Sequence, residues 1–130
     1  MIIPITGFYV SIAGLILLYL SFLVVQVRIR DKEIISDGKD SNPILFRNVR
    51  MFGNFVEYTP IALLLLAVAE LNDVHEYVLH GSAMLLIFGR LAHAYGIRHF
   101  AGENWQRMIG MIATYLSILV LSLCNLYLLY

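Results

Sequence analysis

The sequence predicts an all-α fold, an integral membrane four-helix bundle, and three observations carry that reading. The 130-residue chain is 60% hydrophobic and only 14% charged, with a mean hydropathy of +0.78. An ordinary soluble domain is roughly 45–50% apolar and about 25% charged. Residues 1–27 contain no Asp, Glu, Lys or Arg, and residues 108–130 contain none either, while about 20 apolar residues suffice to cross the hydrocarbon core. Two further apolar runs lie between these ends, each interrupted by few charges.

Taken in order, the first helix is expected over residues 3–27. No basic residue precedes its apolar run, which is about twice the length of a signal-peptide core, so it is expected to be a retained span. The connection over 28–44, RIRDKEIISDGKDSNPI, is rich in charge and in turn-forming residues. The second helix, 45–70, holds a run between Arg50 and Glu70 broken only by Glu57. A tight turn at LNDVH leads to the third helix, 74–98, which spans if Arg90 and His93 face protein. Gly102 and then Glu103-Asn104 mark the start of the fourth helix, 106–129. The four spans fill the chain as one domain over 1–130.

Charge is sorted by side. Arg28, Arg30, Lys32, Lys39, Arg47 and Arg50 cluster at the first connection, and Arg98 and Arg107 at the third. Lys and Arg near short loops favour the cytoplasm, which puts loops one and three inside and both termini outside. The formal net charge is zero, so nothing argues for nucleic acid as a partner. Cys124, the single cysteine, reads as an apolar filler in the last span. His75 and His80 have no third ligand at suitable spacing, and no metal site is expected. Tyr9, Tyr19, Tyr127 and Tyr130 read as packing and interface anchors, and Gly89, Ala92 and Gly96 as a small-residue seam between helices.

The segment that carries chemistry is RNVRMFGNFVEYTP, residues 47–60. Arg47, Arg50, Asn54 and Glu57 are spaced to share one helical face, within an arc of roughly 80°. A charge at membrane depth costs at least about 2.5–3.5 kcal/mol, so this stripe must meet protein or water. One solution is an ion-pair ladder, with Asn54 bridging Arg50 and Glu57 two turns apart. It leaves Arg47 unpaired, and Arg90, His93 and Arg107 lie at a similar depth. The surplus of cations favours a second solution, a pocket for an anionic ligand bearing one cationic group: arginine forks hold carboxylates and Glu57 takes an ammonium.

The pattern Arg47-x2-Arg50-x3-Asn54-x2-Glu57-Tyr58-x-Pro60 resembles the signature of the MAPEG family, the membrane-associated proteins in eicosanoid and glutathione metabolism. GRLAHAYG, residues 89–96, is similar to that family's third-helix motif, and the short chain and plain loops look like its bacterial members. The resemblance implies a homotrimer in the bacterial inner membrane, with glutathione at the subunit interfaces and a lipophilic co-substrate arriving through the membrane lipids. It implies that Arg50, Asn54, Glu57 and Tyr58 hold the peptide, with Glu57 on the γ-glutamyl ammonium. Arg30, Arg47, Arg90 and His93 would complete the glutathione contacts. Arg107 would be catalytic. On its own it reads as a snorkelling residue beside Trp105, but it matches the helix-four arginine that favours the glutathione thiolate. A thiol with a pKa near 8.5 is mostly protonated at neutral pH, and a guanidinium beside it lowers that value.

Ile97, Met108 and Met111 stand where several family enzymes have tyrosine or other polar residues. The leading function is therefore a glutathione transferase of detoxification type, with peroxidase activity as a companion reaction. The alternatives are a non-catalytic ligand-binding or scaffold protein of the same fold and a small helical transporter subunit.

Overall fold

The structure, a computed structural model, describes residues 2–128. It places four helices in chain order: α1 (Pro4–Asp31), α2 (Pro43–Leu71), α3 (Glu76–His99) and α4 (Trp105–Leu128). No strand occurs among the described residues. Helices α1, α2 and α4 are long and apolar enough to cross a membrane. Helix α3, expected as a fourth span of the same kind, has the length at 24 residues, about 36 Å, but His80, Arg90 and His93 dilute its apolar content. The architecture is the predicted membrane four-helix bundle.

The helix ends differ from the expected ones for local reasons. Helix α1 runs to Asp31 rather than 27 because Arg28 and Arg30 suit the negative end of a helix, and Lys32 closes it at φ 56°. Helix α2 begins at Pro43 rather than 45: the Asn42 side chain accepts from Leu45 N at 3.1 Å, and proline at the first position loses nothing. The tight turn passes through Asp73 at φ 57°, which delays α3 from 74 to Glu76. Asn104 caps α4, accepting from Arg107 N at 3.0 Å, in agreement with the expected start. Residue 129 and the expected anchor Tyr130 lie outside the described residues.

Helix α3 packs most extensively on α4, and two glycines allow it. A Cβ on Gly89 would stand 2.7 Å from the Gly110 carbonyl, and one on Gly110 would stand 2.6 Å from the Gly89 carbonyl. The backbones therefore touch, as the seam containing Gly89 suggested. Tyr9, Leu66, Ala69, Leu79, Ala83 and Leu121 form a core cluster towards the end that carries the short second turn. Leu20, Leu23, Met51, Phe55 and Ile97 form another towards the basic loops.

Helix α1 has no side-chain cap of its own. Glu70, near the end of α2, supplies one: its two carboxylate oxygens accept from Ile5 N at 2.8 Å and Thr6 N at 2.7 Å. One turn deeper, the Tyr9 hydroxyl meets His80 Nδ1 at 3.0 Å. Glu70, Tyr9 and His80 at this end join α1 to α2 and α3.

Candidate functional site

At the end of the bundle that carries loops one and three, a cavity of about 300 Å³ opens between the start of α2, the end of α3 and the head of α4. Arg47, Arg50 and Asn54 reach it from α2, His93 from α3 and Arg107 from α4, and Lys39 overhangs it from loop one. These five helical residues were all expected at the site. No carboxylate lines the cavity among the described residues, so its cations are not neutralised from within. The volume lies at the lower edge of the range usual for small-molecule sites.

The stripe on α2 does not form an ion-pair ladder. The only salt bridge among the described residues is Arg30 with Asp31, at 2.7 Å, and Asn54 turns to α3. There it meets Arg90, which is only 2% exposed. The Arg90 Nη1 donates to the Asn54 side-chain oxygen and to its carbonyl. The Nε donates to Thr114 Oγ1 at 2.9 Å, and Nη2 reaches the Gly110 carbonyl and Met111 Sδ. The guanidinium also lies 5.1 Å from the centre of the Tyr58 ring. Arg90 is thus committed to protein, pinning α2, α3 and α4 together through neutral groups. Its charge is satisfied by dipoles and not by a counter-ion, which adds to the positive field over the neighbouring cavity.

Other expected residues fall elsewhere. Arg30 is exposed and held by Asp31 through two bonds, at 2.7 and 2.8 Å, in a recess separate from the cavity. Glu57 faces outward from the middle of α2. The Tyr58 hydroxyl lies 3.4 Å from that of Tyr115 on α4. Within one chain, then, Arg30, Glu57, Tyr58 and Arg90 do not join the five residues that line the cavity.

Arg107 is set by its surroundings. A Cβ on Gly96 would stand 2.7 Å from Arg107 Cγ, so the glycine admits the head of α4 against α3, and Asn104 Nδ2 ties the two by donating to the Gly96 carbonyl at 3.2 Å. One guanidinium nitrogen donates to the Gly102 carbonyl at 3.3 Å, while the buried Nε has no partner. An orphaned buried donor on a cation is a costly feature that a bound anion would relieve. On the far side of Arg107 and His93 lies a second recess of about 530 Å³, lined also by Trp105, Met108 and Met111 and by the polar Glu103 and Asn104. Arg107 stands between a cationic cavity and a more apolar one.

Sequence reasoning missed Lys39, Phe46 and Phe100 on the cavity wall and Thr114 beneath Arg90. Thr114 carried a signal: Gly110, Ala113, Thr114 and Ser117 make a buried face of small residues on α4, the place to seek partners for a buried arginine. The loop and aromatic residues carried none.

The family model described as MAPEG family matches residues 6–127. The chain is 35% identical over 123 residues to the inner membrane protein YecN of Escherichia coli strain K12, covering 95% of this chain and 91% of the relative, and matches the YecN of E. coli O6:H1 strain CFT073 equally well. No solved structure matches the chain.

Proposed function

The chain belongs to the MAPEG family, and from that premise we propose that it binds glutathione in the cavity beside Arg107 and transfers it to lipophilic electrophiles. The observation that carries this reading is the cavity itself: Arg47, Arg50, Asn54, His93 and Arg107 converge on it with spare donors and no carboxylate. Glutathione brings two carboxylates and a thiol, which suit arginine forks and a thiolate-stabilising guanidinium. Arg107 holds the sulfur as thiolate. The sulfur then forms a bond to an electrophilic carbon as the leaving group departs with the bonding pair, or attacks a peroxide oxygen as the O–O bond breaks and the alkoxide leaves with the pair. In the second case the resulting glutathione sulfenic acid is reduced by a second glutathione, giving the disulfide and water. The apolar side of the neighbouring recess, made by Trp105, Met108 and Met111, takes the acceptor.

The remaining contacts come from assembly. Glu57 projects from the middle of α2, on which Ile61 and Leu64 are also exposed, and its neighbour Tyr58 meets Tyr115 of α4. A carboxylate there cannot face lipid cheaply, and a homotrimer that covers this face brings Glu57 and Tyr58 to the bound peptide of an adjoining subunit. The bundle lies in the bacterial inner membrane, the membrane named for YecN, and the basic residues of loops one and three favour the cytoplasmic side for those loops. Met111, whose sulfur accepts from Arg90 at 3.3 Å, and the buried Ile97 favour a second reading, a binding protein without turnover, because neither offers a polar contact to the thiol.

The test is an ultraviolet difference spectrum of the detergent-purified protein titrated with glutathione near neutral pH. The expected result is a saturable thiolate band that is lost in Arg107→Ala and that needs at least about tenfold more glutathione in Glu57→Ala, the cost of one charge-assisted bond. A flat titration without thermal stabilisation overturns the glutathione reading. A normal band without conjugation of any electrophile selects the binding protein.

A further inference from the structure

The exposed side between α1 and α3 holds a groove separate from the cavity beside Arg107. It has a volume of about 370 Å³ and runs from Leu15 and Leu91 to Leu23 and His99. Eight residues of helix separate these ends, a length of about 12 Å. The two helices run in the same direction, because each is followed by a helix that returns, so the loop end of the groove is the same on both. Towards the bundle middle its walls are Leu15, Ile16 and Leu91; towards the loops α1 keeps apolar Leu20 and Leu23 beyond Tyr19, while α3 turns polar with Arg98 and His99.

The groove then continues into a polar recess. This second space, of about 260 Å³, shares Leu23 and Arg98 with the first and adds Arg30, Arg47, Gln26 and Asn48. Three arginines line it and no carboxylate does, among the described residues. Two of them are thinly held. Arg98 donates one bond, to the Tyr19 hydroxyl at 2.9 Å, and Arg47 one, to the Arg98 carbonyl at 3.3 Å; only Arg30 has an anionic partner, Asp31.

An apolar channel leading from mid-membrane to a cluster of arginines at the water boundary has the shape and polarity of one anionic amphiphile. We propose that this face is a binding site for an anionic phospholipid, with one acyl chain along α1 and α3 and the phosphate between Arg98 and Arg47. The surplus of cations selects a net-negative headgroup over a zwitterionic one, and basic pockets at the ends of membrane helices hold such headgroups. Tyr19 orients the Arg98 fork, and its ring borders the first part of the chain. Because Arg47 lines both this recess and the cavity beside Arg107, the lipid phosphate also sits next to the glutathione site without sharing its sulfur end.

The experiment is native mass spectrometry of the detergent-purified full chain titrated with dioleoylphosphatidylglycerol, with dioleoylphosphatidylcholine and glycerol 3-phosphate as competitors. Phosphatidylglycerol is expected to be retained at least about tenfold more tightly than phosphatidylcholine, a difference of one charge-assisted contact. Arg98→Gln removes that preference, Leu91→Trp fills the groove and weakens both lipids, and Lys32→Gln, a cation of the same end outside the groove, changes neither. Equal retention of the two lipids by the parent overturns the proposal, as does an effect of Lys32→Gln equal to that of Arg98→Gln. Full competition by glycerol 3-phosphate reduces the site to a soluble-anion pocket, and loss of the oligomer in Leu91→Trp assigns the groove to a second copy of the chain; either outcome overturns the lipid site. Melting curves of each variant separate lost binding from lost folding.

Discussion

The two ends of the bundle treat polar groups in opposite ways. At the end that carries the short second turn, Glu70 closes on the amides of Ile5 and Thr6 and Tyr9 on His80, over a core of Leu66, Ala69 and Leu79. At the other end, Arg47, Arg50 and Arg107 line a cavity with no carboxylate, and the Arg107 Nε has no partner. The first end pairs its acidic group within the chain, although Thr6 Oγ1 and Asn125 Oδ1 stay unpartnered there among the described residues. The second gathers unpaired cations around open space, which is the capacity the proposed glutathione site draws on. Arg90 lies between them in character: it is a cation near the cavity whose donors are spent on structure.

Four changes break or sharpen this contrast. The largest effect is expected from Arg90→Leu, which leaves the Asn54 side-chain oxygen without its Arg90 donor and removes the bond to Thr114 Oγ1, and costs about 3 kcal/mol or more. A melting curve in detergent reads it, and a loss below about 1 kcal/mol would place Arg90 with the ligand groups instead. Next comes Glu70→Ala, which strips a charged cap from α1 and costs about 2 kcal/mol, while the thiolate band with glutathione stays at parental strength. A loss of that band would show the two ends to be coupled.

The third change acts on the open end alone. A cation beside a thiol lowers its pKa, so removing Arg107 raises the apparent pKa of bound glutathione by about one to two units towards the free value near 8.5. Arg107→Ala should therefore show little thiolate at pH 7 and recover it above about pH 9, with the melting temperature nearly unchanged. A band that stays absent at high pH would mean that binding itself is lost. The smallest effect is expected from Tyr115→Phe, which removes a 3.4 Å hydroxyl contact to Tyr58 at the bundle surface and costs about 0.5 kcal/mol.

The helices were legible because long charge-free runs have few alternatives in a chain this apolar. The candidate site was legible in direction: the spacing of Arg47, Arg50 and Asn54 puts them on one face, and all three line one cavity. Spacing does not give depth or partner. It could not tell that Asn54 belongs to Arg90 as well as to the cavity, nor that Glu57, one turn along the same stripe, faces outward. Arg90 and Arg107 looked alike in the sequence, two arginines at neighbouring depths. They differ because Thr114 and Gly110 of α4 happen to meet Arg90, whereas Gly96 offers Arg107 room and no side chain.

The Glu70 cap sets which rung of α1 stands beside which rung of α2. It acts across 65 residues, and lower down Asn48 Nδ2 donates to the Leu23 carbonyl at 3.0 Å, so the hairpin is aligned by bonds between the helices and not by the length of the segment joining them. That segment is then free to vary. Residues inserted among the exposed positions 34–37 would lengthen the loop without sliding one helix past the other, at an entropic cost that grows only slowly with length. A tag, a docking peptide or an inherited extension could be carried at this point while the membrane part keeps its alignment.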